Sequence, residues 1–263
     1  MLKTRVIPVL LLRDGGLVKG ERFKSHKYVG DPINAVRIFN EKEADELIFL
    51  DISATSQNSG PDFSSVKDIA SEAFMPIAYG GGITTIAQIE KLFRSGIEKV
   101  IINSAFNADR MLVRNASSIA GAQSVVVSID VRKSIFGRYE VYTHGGTKKT
   151  GIDPVAYARF AQEAGAGELM ITNIDNEGLA LGYDLEMIRS VAAAVSIPVV
   201  AHGGASCLPD FSLAINEAGA SAVAAGRFFT FHGKHKAVLI TYPDSVDLLN
   251  LFKAEGNHEQ FKL

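Results

Sequence analysis

The chain has one cysteine, Cys207, in 263 residues. No internal disulfide framework is therefore available to it, and a reducing compartment is expected. It also lacks long hydrophobic runs: none approaches the roughly 20 residues needed to cross a bilayer, and the opening Met1-Leu2-Lys3-Thr4-Arg5 has no apolar core of a secretion signal. Charge of one sign is missing too. Lys and Arg number 27 against 29 Asp and Glu, a net of −2, so nothing pulls the whole surface towards nucleic acid or anionic membranes. These absences describe a cytoplasmic protein with neither nucleic acid nor membrane as partner, and no residue pattern calls for a metal or a cofactor.

What is present is organised around Val125-Val126-Val127-Ser128-Ile129-Asp130-Val131. A run this rich in β-branched residues reads as a strand buried on both faces, with an ionisable carboxylate near its C-terminal end. In parallel α/β proteins the strand C-termini face the ligand, so Asp130 is a candidate for chemistry; capping the next loop is the plainer role.

Seven further apolar runs suit strands: Val6–Leu12, Leu47–Ile52, Pro76–Tyr79, Val100–Asn103, Leu169–Ile174, Pro198–Ala201 and Ala222–Ala225. Helical patterns lie between them at Pro32–Glu43, Ser65–Glu72, Ile86–Ser95, Met111–Ala120, Pro154–Ala164, Leu185–Val195 and Pro209–Ala218, several ending at glycine (Gly96, Gly121, Gly165, Gly219). Eight alternations in this length predict a single α/β domain over residues 1–263, a (β/α)8 TIM barrel, with a doubly wound sheet as the alternative. Two insertions interrupt the spacing. Gly15–Asp31 reads as a polar loop long enough to be a lid; the second, Arg132–Thr150, contains Arg138–Thr143 followed by Gly145-Gly146 and reads as a small hairpin above the barrel mouth. Ser245–Ala254 reads as a helix, whereas Ala237–Ile240 suits helix or strand.

An internal repeat supports a duplicated half-barrel. Tyr79-Gly80-Gly81-Gly82 matches His202-Gly203-Gly204-Ala205, Ile102-Asn103-Ser104-Ala105-Phe106 matches Ala225-Gly226-Arg227-Phe228, and Leu50-Asp51-Ile52 echoes Ile174-Asp175-Asn176. By the same symmetry Leu11 is the counterpart of Asp130. Glycine lets backbone N–H groups approach an anion closely. Gly80, Gly81 and Gly82 with Asn103 and Ser104 would make one phosphate cradle, and Gly203 and Gly204 with Ala225 and Gly226 a second, implying a ligand with a phosphate at each end. Tight βα turns are the alternative use of these glycines. Four charged residues, Arg5, Glu46, Lys99 and Glu168, fall at strand starts, and two of each sign could pair as structural stitching or form a gated polar opening at the barrel bottom. His202 ends its strand and, by alternation from Pro198, points inward, as an acid or base or as a packed core histidine.

Taken in order, Arg5-Val6-Ile7-Pro8, Asp14-Gly15-Gly16-Leu17-Val18-Lys19-Gly20, Gly30-Asp31-Pro32, Leu50-Asp51-Ile52, Gly80-Gly81-Gly82-Ile83, Ser128-Ile129-Asp130 and Gly182-Tyr183-Asp184 closely resemble the cyclase subunit of imidazole glycerol phosphate synthase over about residues 4–230. The resemblance implies a barrel fed with ammonia by a glutaminase docked at its N-terminal face, attacking a bis-phosphorylated intermediate at the other. It places the ammonia gate on Arg5, Glu46, Lys99 and Glu168, phosphate binding on the two glycine cradles, and Lys19 on a flexible loop.

This chain departs from that family at strand one, where Val9-Leu10-Leu11 stands in place of Cys-Leu-Asp. One of two opposed acid/base carboxylates is thereby lost. Asp175-Asn176-Glu177-Gly178 replaces Asp-Arg-Asp-Gly, and His202 replaces a small polar residue. Val9-Leu10-Leu11-Leu12, Phe74–Tyr79 and Gly233–Ile240 resemble a paralogous branch associated with glycosyl amidation in bacterial surface polysaccharide synthesis, in which a third, amidotransferase-like protein works on the sugar. Three functions are therefore expected as alternatives: an ammonia-channelling subunit for a sugar-linked acceptor, a true cyclase in which His202 or Glu177 joins Asp130 as catalytic group, or a non-catalytic conduit and scaffold.

Overall fold

The computed structural model describes residues 4–233 and 235–253. Eight parallel strands close into a barrel: β1 (Arg5–Arg13), β2 (Leu47–Asp51), β3 (Ile77–Gly80), β4 (Lys99–Ile102), β5 (Val125–Lys133), β6 (Glu168–Asn173), β7 (Val199–His202) and β8 (Ala222–Ala225). Each pairs with the next, β8 returns to β1 through Arg5↔Ala222 and Ile7↔Ala224, and every strand is therefore bonded on both sides. Helices α1 (Pro32–Glu41), α2 (Phe63–Glu72), α3 (Ile86–Arg94), α4 (Met111–Ala120), α5 (Pro154–Glu163), α6 (Leu185–Ala192), α7 (Leu208–Asn216) and α8 (Ser245–Lys253) accompany the strands. The expected (β/α)8 barrel is the fold observed.

Side-chain alternation along the strands creates two separate cores. Outward-facing residues meet the helices. On α1 the buried positions Pro32, Ala35, Val36 and Phe39 recur at helical spacing and face the sheet. Inside the barrel a second cluster collects Ile7, Val9, Ile48, Ala78, Ile101, Val126, Met170, Val200, Ala222 and Ala224, with Leu11 and Leu50 at its upper edge. Aspartates start several helices: Asp31 accepts from the Asn34 N–H, and Asp62, Asp153 and Asp184 cap α2, α5 and α6 in the same way.

Three readings of the sequence need correction. Gly15–Asp31 is not an irregular loop: Gly16–Glu21 and Lys24–Gly30 form an antiparallel hairpin whose first strand continues the sheet on β1, pairing Leu11 with Val18. Its Lys and Gly content masks strand pairing because one edge is held by β1 itself. The second insertion does form a hairpin, but with β5 as its first arm; β5 runs on to Lys133 and Tyr139–Thr143 folds back onto it. Helix α6 stops at Ala192, short of the expected Val195, where Ala193 and Ala194 turn towards the next strand without a glycine to mark the end. The ambiguous stretch after Phe231 pairs Phe231–His232 with Ala237–Val238, and the helix expected to end at Ala254 ends at Lys253 in the described chain, Ala254 lying outside it. The expectation made for the first residues, Met1 to Lys3, also lies outside the described residues.

The segment before α8 straps the shell closed. Tyr242 stacks on Phe229 at 5.5 Å, both meet Phe39, and the Tyr242 hydroxyl donates to the Val6 carbonyl at 2.8 Å. Phe39 is fully buried at the centre of this cluster. Truncation by Phe39→Ala should therefore destabilise the protein by about 3–5 kcal/mol, read as a lower urea midpoint; a loss under about 1 kcal/mol would show that the site collapses around the gap.

Candidate functional site

The interior side chains form layers because the register is fixed. At the bottom lie Arg5, Glu46, Lys99 and Glu168, the four charges picked out at strand starts. Arg5 donates to Glu46 at 2.5 Å and to Glu168, while Lys99 reaches Glu46 and Glu168 at 3.0 Å each. The two glutamates are 4% and 7% exposed and bridge both cations, so the ring is closed and neutral. Burial works against the Arg5 charge, but Glu168 and Glu46 outweigh it and raise its pKa further. Above the ring lies the apolar interior, and above that a cavity of about 650 Å³ at the C-terminal ends of the strands.

Asp130 faces this cavity from β5, with Leu11, Leu50, Asn103, Ser128, Thr172, Glu177 and His202 also lining it. The Asn103 amide donates to Asp130 at 3.1 Å and the Ser128 hydroxyl at 3.3 Å. Burial pushes the Asp130 carboxyl up to about 7; the bonds from Ser128, Thr172 and Asn103 restrain the rise and the Glu177 charge adds to it. A carboxyl so placed can hold or release a proton near neutral pH. Its symmetry mate Leu11 presents a half-buried alkyl group to the same cavity.

His202 does point inward, as alternation predicts, and is 3% exposed. Its Nδ1 lies 3.1 Å from the Thr172 hydroxyl and its Nε2 3.7 Å from Glu177; among the described residues Nε2 has no hydrogen-bond partner. Burial lowers its pKa, as does the Lys19 charge, against the pull of Glu177. For Glu177, burial would raise the pKa, yet the Lys19 ammonium and His202 reverse this and hold it down. Lys19 was expected on a flexible loop; it sits instead on the docked hairpin, buried, in a hydrogen-bonded ion pair with Glu177. Thr172 is the residue that links Asp130 to His202, and sequence reading passed over it because a threonine inside an apolar strand carries no signal of its own.

The two glycine turns differ in access. Gly81 and Gly82 have φ of +124° and +66°, and a Cβ on Gly81 would lie 2.3 Å from the Asp51 carbonyl oxygen, so only glycine fits. This turn, with Asn103 and Ser104, opens into the cavity. The second turn repeats the conformation, Gly203 and Gly204 at +88° and +119°, but Gly203, Gly204, Ala225 and Gly226 are buried and do not line the cavity. Other lining groups come from positions at which no site residue is expected: Ser53–Gly60 after β2, His26 on the hairpin, and His144 and Thr147 within the second insertion. Among the described residues no cluster of His, Cys, Asp and Glu is placed to hold a metal ion, and no helix is long and apolar enough to cross a membrane.

A parallel barrel with an ionisable carboxyl and a glycine-turn cavity at its C-terminal face, closed below by a charged ring, has the arrangement in which (β/α)8 barrels hold small-molecule ligands. The chain belongs to the histidine biosynthesis protein family, whose sequence profile matches residues 5–236. It is 49% identical over 244 residues (93% of this chain, 97% of the relative) to the Pseudomonas aeruginosa protein named "Putative imidazole glycerol phosphate synthase subunit hisF2". It is 46% identical to a Leptospira interrogans protein named "Putative imidazole glycerol phosphate synthase subunit HisF", covering 96% of this chain and all of that protein. The Hyphomonas neptunium protein named "Imidazole glycerol phosphate synthase subunit HisF" is 45% identical, over 88% of this chain and 91% of its own.

The Asp130 environment has a consequence for stability. Its folded pKa stands above the ordinary 3.8, so its contribution is complete below 3.8 and is lost as pH rises towards 7. Moving a carboxyl from 3.8 to about 7 corresponds to roughly 4 kcal/mol between its two protonation states. Asp130→Asn should therefore gain stability relative to wild type between pH 4 and pH 8 in urea unfolding; a constant difference would place the carboxyl in a solvated environment.

Proposed function

We propose that this chain is the ammonia-accepting and ammonia-channelling barrel of a glutamine amidotransferase complex of the imidazole glycerol phosphate synthase type, serving conversion of an acetamido to an acetamidino group in surface polysaccharide synthesis. The observation that carries this reading is the vertical order of the barrel axis: charged ring, apolar column, then a cavity with Asp130 and no acid at Leu11. Neutral ammonia enters an apolar column at little cost. Ammonium would have to shed its hydration, at several kcal/mol or more. The ring of Arg5, Glu46, Lys99 and Glu168 is the gate in this account, since it covers the foot of the column with side chains whose pairs can exchange.

A glutaminase partner docks on the N-terminal face beneath that gate. Phe74, on the turn leading into β3, is 90% exposed there and gives a partner an apolar contact. The names carried by the relatives support a synthase subunit, and so a glutaminase. The sugar-linked acceptor and a third, amidotransferase-like protein rest on the altered reaction centre. Asp130 holds a proton at the cavity floor, and the open glycine turn with Asn103 and Ser104 is the seat for a ligand phosphate. With Leu11 opposite, ring closure by opposed carboxyl groups lacks one of its partners, a loss worth about 10²–10⁴-fold in rate.

A second reading is favoured by one specific arrangement, the series Asp130, Thr172, His202 and Glu177 across the mouth. There the chain is a genuine cyclase of histidine biosynthesis, and His202 or Glu177 supplies the missing proton transfer. One assay separates the two: turnover of the bis-phosphorylated ribulosyl aminoimidazole carboxamide intermediate with ammonia by the purified chain. The amidation account expects turnover near background in wild type and partial recovery in Leu11→Asp. Robust wild-type turnover, abolished by His202→Ala, would establish the cyclase instead.

A further inference from the structure

We infer that the cavity takes a ligand with one phosphate end rather than two, because the Glu177 carboxylate supplies from within the chain the negative charge that a second phosphate would bring to the second glycine turn. The inference rests on the reading of the first turn as a phosphate seat.

Lys19 is the cation of that second turn. A Cβ built on Gly226 would lie 2.4 Å from its Nζ, so the ammonium rests directly against the Gly226 backbone. Its side chain is 2% exposed and its charge is already matched by Glu177, itself 6% exposed. The cover is fastened at several points. The Arg22 N–H donates to the Glu177 carbonyl at 2.8 Å, the Arg22 side chain to the Asp175 carbonyl at 3.1 Å, and Arg227 to the Gly178 carbonyl at 2.9 Å. Gly178 packs so closely on the hairpin that a Cβ there would fall 2.2 Å from the Gly20 carbonyl oxygen.

A phosphate entering this turn would have to separate Lys19 from Glu177. It would leave a buried carboxylate without its cation and beside a second anion, and it would lift a hairpin that is part of the main sheet. Separating one member of a buried pair is strongly unfavourable. No such cost applies at Gly81 and Gly82, which are half-buried and open to the cavity. His202, whose buried Nε2 has no hydrogen-bond partner among the described residues, also lines this cavity beside the first turn.

The test is a titration of the full chain with inorganic phosphate, followed by fructose 6-phosphate and fructose 1,6-bisphosphate, using calorimetry and ³¹P NMR. Wild type should bind one phosphate, and the bisphosphate should bind no more than about threefold more tightly than the monophosphate. In Glu177→Gln the ammonium loses its internal partner, a second phosphate should bind, and the bisphosphate should gain at least tenfold. Two phosphates on wild type, or a tenfold preference for the bisphosphate, would overturn the inference while leaving the first seat intact. Absence of any phosphate binding would remove the reading of the first turn and the inference with it. A folded Glu177→Gln still limited to one phosphate would show that Glu177 is not the internal anion. If that variant does not fold, the wild-type ratio of the two sugar phosphates decides alone.

Discussion

The pairing of β5 with β6 is the contact on which the rest of the structure depends. It sets Glu168 beside Val126, Met170 beside Ser128 and Thr172 beside Asp130, and it closes the sheet on itself. Closure fixes which side chains face the axis and at what height. Charged groups collect at the foot, aliphatic groups in the middle and polar groups at the mouth. A shift of one residue would turn Asp130 and Thr172 out towards the helices and bring Ile129 and Ile171 inward. The same register places small residues, Ala78, Ala222 and Ala224, along the axis between the charged ring and the cavity.

Buried charge is the second organising constraint. Among the described residues the interior holds two sets of ion pairs, and each is neutralised by groups brought together from distant parts of the chain. At the foot, Arg5 and Lys99 share Glu46 and Glu168; at the mouth, Lys19 pairs with Glu177. Burial moves the Asp130 carboxyl up to about 7, the Glu177 charge adds to the rise, and no ion pair among the described residues offsets it. The contrast between Glu177 and Asp130 follows from neighbours rather than depth, since both are buried.

Much of the barrel could be read from residues in order. Strands such as Val125–Val131 and Ala222–Ala225 announce themselves because both faces are buried, and glycines after the helices punctuate the repeat. The inward direction of His202 followed from alternation alone, and the four charges at strand starts do meet in one ring. What could not be read is what depends on long-range pairing. Lys19 looks like a solvated lid lysine; its partner is 158 positions away, and nothing near either residue signals the pair. The unequal burial of the two glycine turns is likewise invisible in their nearly identical sequences. Thr172 and the loop Ser53–Gly60 reach the cavity only because the barrel brings them there.

In the proposed complex nitrogen travels along the barrel axis rather than through bulk water. Reconstitution of the chain with a glutaminase and the proposed sugar acceptor tests this route, with amide-labelled ¹⁵N-glutamine supplied in an excess of unlabelled ammonium. The wild-type product should carry ¹⁵N, and Ala224→Leu, which fills the column above the ring, should yield product drawn from the unlabelled pool. Wild-type product diluted by bulk ammonium, or a filled column that still delivers glutamine nitrogen, would contradict it.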